Sequence, residues 1–335
     1  MSEHFTAADE IADTHMQHPH VVILGAGASL AASPNGDRFG RRLPLMNNFV
    51  DVVGLLPVLQ KHGLAHRAGD NFELLYSALH EDASRAHLVA EIEAHVHAYF
   101  TAMQLPDVAT IYDRLVLSLR SKDVIATFNW DPFLFEACRR NCRHAPMPRL
   151  IFLHDSVSVG YCSAHRQKGP RAGACPKCET PFTPSRLLYP IAQKNYTSDP
   201  FIAAEWAGLR TALSQAFAIT IFGYGAPTSD LEAVRLMEEA WGNVEDRELE
   251  QTEIIDIRSE DDLKETWNPF IHTHHYDIHS AFDDSWIRHH PRRSCEALWA
   301  QNMDVRFVEN NPLPATDDLS ELRSWFADLL IAEHS

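Results

Sequence analysis

The chain has 335 residues, 45% of them hydrophobic, enough for one large core or two modest ones. Its 46 Asp and Glu against 29 Lys and Arg give a formal charge of −17. That balance argues against nucleic-acid phosphate as the main partner, because affinity there comes from Lys and Arg displacing counterions. Met1 to Gln17 has neither a basic start nor an apolar signal region, and no apolar run approaches the roughly 18 residues of a membrane helix. A cytoplasmic protein without a membrane partner is the expectation.

Residues 1–18 carry much charge and no periodicity, and read as a disordered N-terminus preceding one domain over 19–335. Val21-Val22-Ile23-Leu24 is a short apolar run that enters Gly25-Ala26-Gly27-Ala28-Ser29. Such a run bounded by glycine predicts a buried parallel strand turning tightly into a helix. Glycines at 25 and 27 permit close backbone approach to a ligand, and free N–H groups at a helix start suit a phosphate. Ala32 to Pro44 is loop chemistry, either a binding loop or a surface excursion. From residue 48 to 120 the apolar spacing is helical, as in Leu88, Ile92, Val96, Tyr99 and Met103, predicting an insertion of three or four helices.

Val124 to Phe128 reads as the second strand, ending in Asn129-Trp130-Asp131-Pro132. Polar groups at the carboxyl end of a buried strand point into the crevice where open α/β sheets bind ligands. Asp131 is equally well placed to cap the helix that Pro132 opens; capping does not account for Asn129. Arg149 to Leu153 is a third strand and ends in His154-Asp155. Then follows Cys162-x2-His165-x9-Cys175-x2-Cys178, four ligands spaced for tetrahedral Zn²⁺ in a turn-rich module over 156–185. The set is closed, which marks a structural rather than a catalytic metal.

Asp199 to Phe217 predicts an amphipathic helix. Ala218 to Phe222 is a strand running into a second glycine turn, Gly223-Tyr224-Gly225-Ala226-Pro227-Thr228-Ser229-Asp230. Glu253 to Ile257 is a fifth strand, and Asp256 near its end is either a ribose-hydroxyl acceptor or an edge charge. The chain has 20 histidines; those in 271–291 read as a polar surface loop. A strand at Val305 to Val308 and a helix from Leu319 to Ile331 close the chain. About six strands alternating with helices predict a Rossmann-like doubly wound parallel sheet, with a helical insertion and a small zinc module.

In this order the motifs resemble the SIR2 (sirtuin-like) superfamily, and more closely its bacterial NAD⁺-consuming branch of antiphage defence proteins. The resemblance runs through Gly25 to Ser29, the loop to Pro44, Thr127-Phe128-Asn129-Trp130-Asp131, Leu153-His154, the cysteine module and Gly223 to Asp230. It implies an enzyme with NAD⁺ as substrate and structural Zn²⁺. Gly25, Ala26, Gly27 and Ser29 would hold phosphates and ribose, helped by Gly223 and Tyr224. Asn129 and Asp131 would line the nicotinamide–ribose pocket, with Thr127 and Asp256 further cofactor contacts. Asn129 and His154 would be catalytic, His154 as general base.

Three departures stand out. Asp155 replaces the glycine that follows the histidine in sirtuins, and His165 stands where deacylases use cysteine. The loop after Ser29 also lacks the full pattern of deacylating sirtuins. The implied reaction is hydrolysis of the nicotinamide–ribose bond, by the toxic effector of an antiphage system. Its control would come from self-association or from an ATPase or Argonaute-like partner. NAD⁺-dependent protein deacylation, ADP-ribosylation, or silent sensing of NAD⁺ or ADP-ribose are the alternatives.

Overall fold

The computed structural model describes residues 3 to 334 apart from 68, 185, 192–195, 244, 246, 248 and 272. Its centre is a six-stranded sheet in which every neighbouring pair runs parallel. The strands described are β1 (His4–Phe5), β2 (His20–Leu24), β3 (Val124–Thr127), β4 (Arg149–Phe152), β5 (Val159–Cys162) and β6 (Gln167–Pro170). They continue with β7 (Thr183–Pro184), β8 (Ala218–Phe222), β9 (Gln251–Ile255), β10 (Tyr276–His279) and β11 (Phe307–Val308).

Across the main sheet the order is β4-β3-β2-β8-β9-β10. Counted within the sheet this is 3-2-1-4-5-6, the doubly wound Rossmann order, with its switch point between β2 and β8. Alternate residues of β2 explain the layering. Val22 and Leu24 face one core with the helical insertion, and Val21 and Ile23 face another with helices Pro200–Gln215, Leu231–Trp241 and Glu260–Trp267. Both faces are therefore covered, as a parallel sheet requires.

The insertion is folded as helices Phe49–Val53, Leu56–Lys61, Phe72–Glu81, Ala86–Thr101 and Ile111–Leu117, one more than the periodicity predicts. A second sheet, β6-β5-β7, is antiparallel and carries the cysteine cluster. Lys168 on β6 ties this module to the main domain, donating to Leu150 O at 2.6 Å and to Glu205 at 2.5 and 2.7 Å.

Three expectations change. The sixth strand of the sheet is β10, inside the histidine-rich stretch that the sequence suggests is a loop; His272 lies outside the described residues. Tyr276-Asp277-Ile278-His279 is a half-exposed edge strand, so its composition lacks the signature of a buried one. The strand at 305–308 shortens to β11, which pairs with β1 away from the main sheet. That pairing also organises the N-terminus: residues 3–18 hold β1 and a capped helix, Ala7–Ala12, with Phe5, Glu10 and Met16 buried. Met1 and Ser2 lie outside the described residues.

The amino-terminal edge of the sheet is closed by residues 285–301 through buried polar contacts. His20 sits between Ser294 Oγ (2.8 Å) and Thr220 Oγ1 (2.7 Å). Glu253 accepts from Thr220 and from the Trp286 N–H, both at 2.7 Å. Arg292 and Arg293 share Glu333, at 2.6 and 2.7 Å, and His290 meets Glu10 at 2.5 Å.

Candidate active site and metal centre

The carboxyl edge of the sheet is built around two interlocked glycine turns. Gly25 closes β2 and precedes the helix Ala26–Ala32; Gly223 closes β8 with φ +60°, a left-handed conformation that favours glycine. Gly27 N–H donates to Gly223 O at 2.9 Å. A Cβ on Gly223 would lie 2.3 Å from Ala28 N, and one on Gly25 would lie 2.5 Å from Gly223 O. The switch point thus has a floor of bare backbone from both halves of the sheet.

Above this floor a hydrogen-bonded cluster joins β2, β3 and the insertion. Ser29 Oγ donates to Asp131 Oδ2 at 2.7 Å and lies 2.6 Å from the Tyr112 hydroxyl. The Asn129 amide nitrogen donates to Gly25 O (2.8 Å) and Ser29 Oγ (2.9 Å), with Tyr112 at 3.3 Å. The Asn129 N–H donates to Thr127 Oγ1 at 3.0 Å, so Thr127 is buried in the turn and holds it. With the amide nitrogen fixed, the Asn129 side-chain carbonyl is the group left to accept from a water or hydroxyl.

Asp131 takes part in two contacts. It caps the following helix by accepting from Phe133 N–H at 3.0 Å, and it faces Ser29. Burial pushes its carboxyl up to about 6, against the lowering effect of the Ser29 and Phe133 hydrogen bonds.

His154 follows β4 on the same edge. Its ring is stacked with Tyr196 (centroids 5.9 Å apart, 8° between planes) and edge-on to Phe128 (4.8 Å). Its Nε2 lies 3.4 Å from the Tyr196 hydroxyl and 3.8 Å from Asp230 Oδ1. Tyr224 stacks flat on Phe128 at 4.1 Å, and its hydroxyl donates to Asp230 Oδ2 at 3.0 Å. Asp230, at the end of the second glycine turn, is thus a carboxylate beside the histidine. Asp155 has φ +67° and is fully buried. The left-handed backbone explains why glycine suits this position, and Asp is among the few other residues that tolerate it.

The structure therefore brings Gly25, Gly27, Ser29, Asn129, Asp131 and Gly223 together, with His154 and Tyr224 along the same edge. Asp256 lies farther along the same edge, next to the second glycine turn, where Gly223 N–H donates to Ile255 O at 2.9 Å. It follows β9, two strands from β2, and its carboxylate is held by Arg258 at 3.0 Å. Sequence reasoning missed Tyr112, which lies beside the apolar stripe of its helix and gives no polar signal there. It also missed Tyr196 and the orienting position of Asp230. A cavity of about 720 Å³ lies at the opposite, amino-terminal end of β8, lined by Phe217, Trp241, Arg247 and Trp299.

The cysteine module fits a metal. Cys162 Sγ lies 3.8 Å from Cys178 Sγ, and His165 Nδ1 lies 3.7 Å from both Cys162 and Cys175 Sγ. All four ligand atoms fall within 4.8 Å of one another. Tetrahedral zinc with Zn–S of about 2.3 Å places its sulfurs about 3.8 Å apart, so the donor set and spacing suit structural Zn²⁺. Cys175 is buried, and the knuckle is closed by Glu179 N–H donating to Cys175 O at 2.8 Å. Among the described residues no helix is long and apolar enough to cross a membrane.

No known family's sequence pattern matches the chain, and no curated protein matches it. Solved structures of Sir2 homologues do. The chain is similar to a Sir2 homologue crystallised with NAD, at 14% identity, covering 86% of this chain and 88% of that one with a TM-score of 0.39. A structure addressing the mechanism and regulation of Sir2 enzymes gives 14% identity, 87% and 92% coverage, and a TM-score of 0.38. A Sir2 homologue variant with ADP-ribose gives 13% identity, 75% and 83% coverage, and a TM-score of 0.38.

Proposed function

We propose that the protein is an NAD⁺ hydrolase that cleaves the nicotinamide–ribose bond to give nicotinamide and ADP-ribose. The observation that carries this reading is the carboxyl-edge cluster: Asn129 and His154 on adjacent strand ends, beside the glycine floor at the switch point. Breaking the bond develops positive charge on the ribose. The Asn129 carbonyl orients the attacking water, and His154, steadied by Asp230 and Tyr196, accepts its proton. Asp131 and the fixed backbone dipoles face the developing charge in a partly water-excluded cleft. The ligand roles of Gly25, Ala26, Gly27, Ser29, Thr127, Asp131, Gly223, Tyr224 and Asp256 belong to the same proposal. Within it, burial of Thr127 and the Arg258 pairing of Asp256 support indirect roles for those two.

The antiphage role, with control by self-association or a partner protein, is proposed on the motif resemblance alone. Activity that rises with protein concentration supports self-association. The test of the chemistry is nicotinamide release from NAD⁺ by purified protein, beside Asn129→Ala and His154→Ala. Each variant should lose at least about 100-fold while keeping the wild-type melting profile. Wild-type rates from both variants would refute the site. Release only with an acylated or acceptor protein present identifies a transferase instead, and NAD⁺ binding without turnover identifies a sensor.

A further inference from the structure

A second cluster of metal-ligating side chains lies on the helical insertion, on different helices from the site and far in sequence from the cysteine module. His87 and Glu91 are four residues apart on helix Ala86–Thr101, so they share one face. His62, at the carboxyl end of helix Leu56–Lys61, reaches the same point, with Nε2 3.1 Å from Glu91 Oε2. The His62 and His87 rings are 6.3 Å apart. One ligand atom from each of the three residues falls within 4.8 Å of the other two. We propose that His62, His87 and Glu91 form a second divalent-metal site, for a late first-row ion such as Zn²⁺, that staples helix Leu56–Lys61 to helix Ala86–Thr101.

Two imidazoles and a carboxylate suit zinc, nickel or copper and are poor ligands for Mg²⁺, which wants oxygen. Three protein ligands leave a position open to water, unlike the closed cysteine set. Glu91 already serves as an acceptor: Lys61 Nζ lies 2.9 and 3.0 Å from its two oxygens. That ammonium binds the same carboxylate a metal would need, and it sits on a mostly exposed side chain free to swing away. The metal and Lys61 therefore compete for one carboxylate. This gives the site a signature that a plain ion pair lacks, because deleting the lysine strengthens metal binding.

The experiment is calorimetric titration of protein whose cysteine-bound zinc has first been counted by metal analysis, with Zn²⁺ as probe and Mg²⁺ as control. Wild-type protein should take up one further equivalent of Zn²⁺ per chain and no Mg²⁺. His87→Ala, a change at an exposed position that leaves the core untouched, should weaken that uptake at least tenfold. Lys61→Ala should tighten it several-fold. Absence of the further equivalent, or equal affinity in His87→Ala, overturns the proposal. Neither result bears on the hydrolase reading, since no residue of the carboxyl-edge cluster is altered.

Discussion

The two ends of the central sheet bury polar groups with different sets of partners. At the amino-terminal edge, charges are buried in partnership: Arg292 and Arg293 on Glu333, Lys122 on Asp123, Arg120 on Glu296, His290 on Glu10. At the carboxyl edge Asp131 is equally buried, yet among the described residues its partners are a serine hydroxyl and a backbone N–H. A buried charge that is paired holds the structure together once formed, while a buried carboxylate without a cation keeps a raised affinity for its proton. The first edge is dense in ion pairs that give cohesion, although burial there also pushes Glu253, held by Thr220 and the Trp286 N–H, up to about 7. What sets the second apart is that its raised carboxyl lies beside the glycine turns of the switch point.

Breaking the amino-terminal edge should cost the most. Arg293 is fully buried and donates to Glu333 and to the carbonyls of Glu10, Ile11, Arg292 and Leu329. Arg293→Ala should destabilise the fold by about 3–5 kcal/mol, read as the shift in the urea midpoint. Nicotinamide release per folded molecule should stay at the wild-type level.

The carboxyl edge should respond to pH instead. The folded-state pKa of Asp131, about 6, lies above the ordinary 3.8. The folded protein therefore holds a proton that the unfolded chain has lost, and stability declines as pH rises from about 4 to above 6. Asp131→Asn preserves the shape and can still face Ser29 and Phe133. It should remove that decline, leaving the variant about 2–3 kcal/mol less pH-sensitive across this window. Parallel curves for the two proteins would show that Asp131 ionises freely in the fold.

A smaller effect sharpens the contrast at the helix that delivers Tyr112. Thr110 caps this helix in a reciprocal box with Asp113, whose carboxylate Arg140 also holds. Thr110→Ala should cost about 1 kcal/mol, the usual worth of a cap, measured as a change in thermal midpoint. It should also slow turnover modestly by loosening Tyr112 against Ser29.

Most of this architecture is legible in the sequence because five strands are β-branched or apolar runs followed closely by glycine or a polar residue. Ser29, Asn129, Asp131 and His154 are legible for the same reason: each sits where a strand or its following turn ends. The rest depends on partners distant in the chain. Tyr112 gains meaning only when its helix docks over β2 and β3, and Asp230 only when β8 and β4 bring its turn beside His154. β10 was hidden because an edge strand buries one side and keeps polar residues on the other. β1 and β11 are two residues each, too short to leave a periodic trace.

The glycine contact between β2 and β8 sets where compliance can reside. With added carbons meeting backbone atoms at 2.3 to 2.8 Å, the turns at 25–27 and 223 have no clearance for sliding past one another. This floor is in effect a fixed datum, shared by both halves of the sheet. Under the proposed function, admission and enclosure of NAD⁺ fall to what stands over that floor, the insertion carrying Tyr112 and the segment carrying Tyr196. Hydrogen exchange should be slower across the glycine turns than in those overlying elements.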